Sequence, residues 1–223
     1  MVKRTKTAIL ISGRGSNMGS LISAALNPAY PAEIALVVSN VPGAAGLARA
    51  SEFGIATAVV DHKPFGADRE AFEKALDRQL KAHGIELVAL AGFMRLLTPF
   101  FVNAWANRVL NIHPALLPAF KGLGTHERAL AEGVKLHGAT VHFVSAEMDD
   151  GPIIVQGAVP VLDGDTPETL GARVLKVEHR IYPKALELVA GGQARIKGSS
   201  VAVNWTADFD EAGAPPVLTW PPA

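Results

Sequence analysis

Short, continuous apolar runs recur through the first half of this chain, and each is followed by a helix-like stretch. No other feature narrows the possible fold so far. AILIS at 8–12, IALVVS at 34–39 and LVAL at 87–90 lack the in/out alternation of a half-wet strand. They read as strands covered on both faces, which is the habit of a parallel sheet. Residues 57–60 and 108–112 read as two further strands. Between the strands, 16–26, 44–53, 68–83 and about 98–105 read as helices. In 68–83, Phe72, Leu76 and Leu80 recur every four residues and Gly84 closes the segment. Thr98 and Pro99 open the next helix as cap and first turn. The repeated β-α order predicts a doubly wound, mostly parallel α/β sheet with right-handed crossovers.

The second half changes character. The stretch VLNIHPALLPAFKGLGTH at 109–126 starts as a strand and runs into a loop rich in proline and glycine. After a helix at 127–132, the run 139–144 alternates: Ala139, Val141 and Phe143 face one way, Thr140, His142 and Val144 the other. A loop at 145–152 and a strand at 153–159 follow, which predicts antiparallel additions to the sheet after residue 137. Thr166-Pro167-Glu168 opens a long helix to about 189, ended by Gly191-Gly192, and 193–205 can form a hairpin. Without internal repeats, 1–205 reads as a single domain and the proline-rich 206–223 as a loosely ordered tail.

Composition excludes several function classes. Half the residues are hydrophobic (49%) and 19% are charged, enough for a sizeable core. Lys plus Arg and Asp plus Glu number 21 each, so the chain lacks the basic footprint of a nucleic-acid or anionic-membrane binder. No cysteine is present, which removes disulfides, thiolate metal sites and thiol nucleophiles. No apolar run approaches the roughly 20 residues of a membrane span, and the N-terminal apolar stretch is too short for a signal core. A soluble cytoplasmic protein is the expectation.

Three motifs carry candidate chemistry. Gly13-Arg14-Gly15-Ser16-Asn17 joins the first strand to the first helix. It reads either as a phosphate cradle, with close backbone approach and helix N-terminal amides, or as a tight turn with Ser16 as cap. A dinucleotide site is disfavoured: the third glycine is Gly19, not residue 18, and the second strand ends in Ser39-Asn40 without an acid. Asn111 and His113, two apart at a strand end, share one face and join an amide to an imidazole. Such strand ends are where open α/β sheets bind ligands. In the loop after His142, Asp149 would stabilise a protonated His113 if it reached it. His62, His83, His126, His137, His142 and His179 show no metal-ligand spacing, so no metal is expected. No G-x-S-x-G elbow is present.

Taken jointly and in order, the segments ISGRGSN at 11–17, LAGFMRLL at 90–97, NIHPALLPAFKG at 111–122, HGATVHFV at 137–144, MDDGPIIVQ at 148–156 and VEHRIYP at 177–183 resemble the folate-dependent phosphoribosylglycinamide formyltransferases. The resemblance spans about residues 7–190. It implies a Rossmann-like formyltransferase fold and transfer of a formyl group from 10-formyltetrahydrofolate, a cosubstrate, to the amine of glycinamide ribonucleotide in purine synthesis. It implies a catalytic trio of Asn111, His113 and Asp149. Gly15, Ser16 and Asn17 would take the ribonucleotide phosphate and Glu178 its ribose. Arg69, Met94, Arg95, Leu96, Leu97 and Asn111 would contact folate. Partners would be these small molecules, not nucleic acid or membrane, and the enzyme a monomer or homodimer. Gly124 departs from the pattern, since the family often has a larger polar residue there. The alternatives are a formyltetrahydrofolate deformylase, with water as acceptor, and a non-catalytic nucleotide- or folate-binding protein.

Overall fold

A computed structural model describes residues 3–204. Seven strands form one sheet in the order β3-β2-β1-β4-β5-β6-β7. They are β1 (Thr5–Ile11), β2 (Ala32–Ser39), β3 (Ala56–Val59), β4 (Leu87–Leu90), β5 (Val109–His113), β6 (Leu136–Phe143) and β7 (Ile153–Pro160). From β3 across to β5 every pairing is parallel; β6 and β7 run antiparallel. This is the expected sheet, with the expected additions. A two-stranded hairpin, β8 (Ala194–Lys197) and β9 (Ser200–Val203), follows the last helix. The proposed hairpin's Trp205 and the tail at 206–223 lie outside the described residues.

Helices cover both faces: α1 (Ser16–Ala25), α2 (Ala45–Glu52), α3 (Arg69–Ala82), α4 (Pro99–Ala104), α5 (Thr125–Ala131) and α6 (Pro167–Ala190). The double cover explains the continuous apolar runs. Ile9, Ile11, Val37, Ala89, Leu110 and Ile112 pack on the side of α1 and α6. Ala8, Leu10, Leu36, Val38, Val88 and Val109 pack against Phe72, Leu76 and Leu80 of α3 and Phe101 and Trp105 at α4. In α6 the fully buried Tyr182 shares its hydroxyl hydrogen between the carbonyls of Leu90 (2.9 Å) and Leu110 (3.1 Å), pinning the helix under β4 and β5. Pro183 lies inside α6, where it offers the His179 carbonyl no N–H.

Two caps differ from the sequence reading. Gly15, not Ser16, is the residue before α1; it adopts a left-handed backbone (φ 65°) and Ser16 is already helical, with no side-chain cap bond. Thr98 precedes α4 but gives its hydroxyl hydrogen to Glu73 instead of capping the helix. Thr166 does cap α6, in a reciprocal box with Thr169.

Strand order reverses between β1 and β4. The chain winds outward through β2 and β3, then returns beside β1. The crevice at the carboxyl ends of strands flanking such a reversal is where an open sheet takes a ligand. The glycine turn after β1, the segment after β4 and His113 at the end of β5 all open into it.

Candidate functional site

The first wall of the crevice is the β1–α1 turn. Gly15's left-handed φ leaves no easy room for a side chain, since a Cβ there would meet Met18 at 3.1 Å. The first amides of α1 have no preceding helical carbonyl to bond. Asn17 is buried behind them, and its Nδ2 donates to Glu178 Oε2 of α6 at 2.6 Å. The two residues that the family resemblance assigns to one ligand therefore touch. Asn17 Oδ1 is buried without a partner, so it lacks a donor. Burial raises the Glu178 pKa above the usual carboxylate value, while the Asn17 bond and the nearby His113 charge pull the other way.

The second wall is residues 91–98, which have no regular structure. Two side chains fix them. Ser12 Oγ accepts from the Met94 amide (2.8 Å) and donates to Asn40 Oδ1 (2.6 Å), while the Ser12 amide donates to the Gly92 carbonyl. At the far end Glu73, 1% exposed, accepts from the Thr98 amide at 2.6 Å and from its hydroxyl. Between these anchors Met94 and Leu96 project outward, 72% and 59% exposed. The Arg95 guanidinium sits 6.0 Å from the Phe72 ring. Arg69 opens α3, the helix carrying Phe72 and Glu73, and its side chain makes no hydrogen bond or ion pair among the described residues.

At the floor, β5 presents Asn111 and His113 on the side facing His142 and Thr140 of β6. His113 is 5% exposed and gripped at both ring nitrogens. Its Nε2 donates to the Phe120 carbonyl at 2.9 Å, and its Nδ1 lies 3.3 Å from Asp149 Oδ2. Asp149 does reach His113. Both gripping residues hold left-handed backbones rare outside glycine, Phe120 at φ 55° and Asp149 at φ 52°. Strain of this kind gathers where geometry serves function. The loops bearing them are tied together by the Gly122 amide on Asp149 Oδ2 (3.0 Å) and by a Lys121–Asp150 ion pair. A proton on Nδ1 meets a carboxylate, and an amide stands next to the ring. The arrangement suits stabilising charge and moving a proton at a carbonyl carbon.

Some neighbours of the site escaped the sequence reading. His142, which the sequence marks only by its strand face, is 2% exposed and contacts Asn111 (3.3 Å) and Asp149 (3.8 Å). Burial lowers its pKa, against the pull of the Phe143 carbonyl and Asp149. Thr140 donates to the Ala115 carbonyl and accepts from the Leu117 amide and Gln156, shaping the loop after His113. Alternation along β6 placed Thr140 and His142 on one face; only the β5–β6 register shows that this face is the site. Ser12 lies inside the ISGRGSN segment without a role of its own there, and Glu73 had no motif to mark it. Among the described residues no group of three or more acidic or histidine side chains is arranged to hold a metal ion, and no helix is long and apolar enough to cross a membrane.

Residues 5–186 match the family model described as formyl transferase. A trifunctional purine biosynthetic protein adenosine-3 of Gallus gallus is 50% identical over 202 residues, covering 91% of this chain but only 20% of the relative; the chain thus spans about a fifth of that protein. The phosphoribosylglycinamide formyltransferase of Escherichia coli (strain K12) is 43% identical over 188 residues, covering 84% of this chain and 88% of the relative. The crystal structure of glycinamide ribonucleotide transformylase 1 from Symbiobacterium toebii superposes with a TM-score of 0.87 at 46% identity, covering 90% of this chain and 94% of that one.

Proposed function

The chain belongs to the formyl transferase family, and from that premise we propose that it transfers the formyl group of 10-formyltetrahydrofolate to the amine of glycinamide ribonucleotide in purine biosynthesis. The observation that carries this reading is the His113–Asp149 pair beside Asn111, set between an anion-ready turn and an exposed apolar segment. The phosphate docks on the backbone of Gly15, Ser16 and Asn17 at the start of α1, where free amides and the helix dipole favour negative charge. Glu178 accepts from a ribose hydroxyl, and a hydroxyl hydrogen on Asn17 Oδ1 would relieve that orphaned acceptor. Met94, Arg95, Leu96 and Leu97 receive the flat pterin of the folate, with Arg69 and Asn111 as further contacts.

The amine then attacks the formyl carbon and a tetrahedral intermediate forms. Asn111 donates to its oxyanion. His113 joins by exchanging the Phe120 carbonyl for the new oxygen at Nε2, while Asp149 holds the positive charge at Nδ1. The proton leaving the attacking amine reaches the folate nitrogen, Asp149 aiding the relay. The carbon–nitrogen bond to folate breaks, giving formylated ribonucleotide and tetrahydrofolate. Holding two substrates in one crevice contributes much of the rate. No metal enters the scheme. Both substrates are small dissolved metabolites, so the reading is of a cytoplasmic enzyme, monomeric or homodimeric.

The test follows tetrahydrofolate release from 10-formyltetrahydrofolate with and without glycinamide ribonucleotide. Turnover that requires the ribonucleotide is expected. Turnover indifferent to it would replace the transferase with a hydrolase, and none in either case would leave a binding protein.

A further inference from the structure

We infer that His142 is a positioning residue for this reaction: its ring, locked in one tautomer, fixes which way the Asn111 amide faces. The inference rests on the transfer proposed above. Its Nδ1 lies 2.9 Å from the Phe143 carbonyl, which can only accept, so Nδ1 carries the hydrogen. In the neutral ring Nε2 is then a bare lone pair. That lone pair faces Asn111 Nδ2 at 3.3 Å. An amide oxygen there would set lone pair against lone pair, so the amide must turn its NH2 group to His142. Asn111 makes no other side-chain hydrogen bond among the described residues. One N–H is spent on His142, and Oδ1 and the second N–H remain for the crevice. Without His142 the amide is free to rotate by half a turn and exchange donor for acceptor at the reacting carbonyl. The Phe143 carbonyl that sets the tautomer is itself covered by Gly151, where a Cβ would lie 1.7 Å from that oxygen. The loop bearing Asp149 thus closes over the group that orients the amide.

Two substitutions separate positioning from packing. Glutamine extends an acceptor to about the reach of Nε2, whereas asparagine reaches only about as far as Nδ1. His142→Gln should keep turnover within about threefold of the parent. His142→Asn should lose at least about tenfold in kcat, a partial loss of one oriented donor, with KM for both substrates within about twofold. In an Asn111→Ala background, His142→Asn should cost less than about twofold more. Equal losses for the two variants, or the full loss repeated without Asn111, would overturn the inference. Long-range 15N–1H NMR reads the tautomer directly, and a hydrogen on Nε2 would also overturn it. If the parent shows no ribonucleotide-dependent turnover, the functional reading fails, and the NMR measurement still decides the His142–Asn111 link.

Discussion

Asp149 combines two demands that few side chains meet. It must place a carboxylate against His113 Nδ1 and must hold a left-handed backbone at φ 52°. Among residues with a side chain, asparagine is one of the few uncharged ones that tolerate that backbone, and its amide oxygen can still accept from the Gly122 amide. Asp149→Asn therefore removes the charge and spares the loop. Turnover should fall at least about a hundredfold, while the melting temperature stays within a few degrees; unchanged turnover would remove Asp149 from the mechanism. Glu178 poses the opposite balance. Its pKa is raised, so the folded state holds its proton more tightly than the unfolded chain, and its contribution to stability is lost as pH rises through the folded pKa. Glu178→Gln keeps an acceptor for Asn17 without that burden. At pH 8 it should match or exceed the parent in denaturant resistance while raising KM for the ribonucleotide about tenfold, the order expected for one lost charged hydrogen bond. A lower stability at pH 8 would contradict this account. Asn111 and His113 were legible as a pair because strand periodicity puts alternate residues on one side. The reach of Asp149 was not, since it depends on the return of β6 and on a backbone twist that no periodicity encodes.

At the scale of elements, the segment 91–98 shows how irregular backbone is held without a ladder. Ser12 ties its start to the end of β1, and Glu73 ties its end to α3. One anchor follows directly on β1 and the other lies on α3, so the segment is braced against the sheet and the helix. Ser12 also lies one residue before the glycine turn, and thus joins the two walls of the crevice. Ser12→Ala leaves the Met94 amide and Asn40 Oδ1 each without that partner. The expected result is a rise of about fivefold in KM for the formyl-folate, with kcat and ribonucleotide KM within about twofold. A rise in the ribonucleotide KM alone would show that Ser12 serves the turn and not the segment. The caps were misread for a related reason. A serine or threonine ahead of a helix is a good cap by composition, but Thr98 finds a buried carboxylate from another helix, and the left-handed Gly15 turn carries Ser16 past the cap position. Tertiary partners outbid local ones, and sequence pattern sees only the local ones.

The whole molecule follows from layers that the sequence announces. Continuous apolar runs demand cover on both faces, β-α alternation supplies it, and the reversal between β1 and β4 opens one crevice. The alternating run at β6 marked the antiparallel extension. Less visible was the polar pocket at the start of β6, where it pairs with β7 and meets the loop after β5. His137 is wholly buried there, edge-on to Phe120, with Nε2 3.2 Å from His126 Nδ1 and its own Nδ1 without a partner. Burial first, and the neighbouring His126 second, lower its pKa to about 4. Burial also lowers those of His126 and His142. The sign follows directly. Below the ordinary value of 6.5 the unfolded chain binds protons that the folded chain refuses, so stability falls as pH falls from 6.5 toward 4. Each refused proton contributes a slope of about 1.4 kcal/mol per pH unit. Urea unfolding at pH 7.5 and pH 5 should therefore give a clearly lower midpoint at pH 5. His137→Gln, which cannot titrate, should remove about one proton's worth of that slope, whatever its effect on stability at pH 7.5. An unchanged slope would mean that His137 takes up its proton in the folded protein, and that the space around it admits the water or the acceptor such a charge requires.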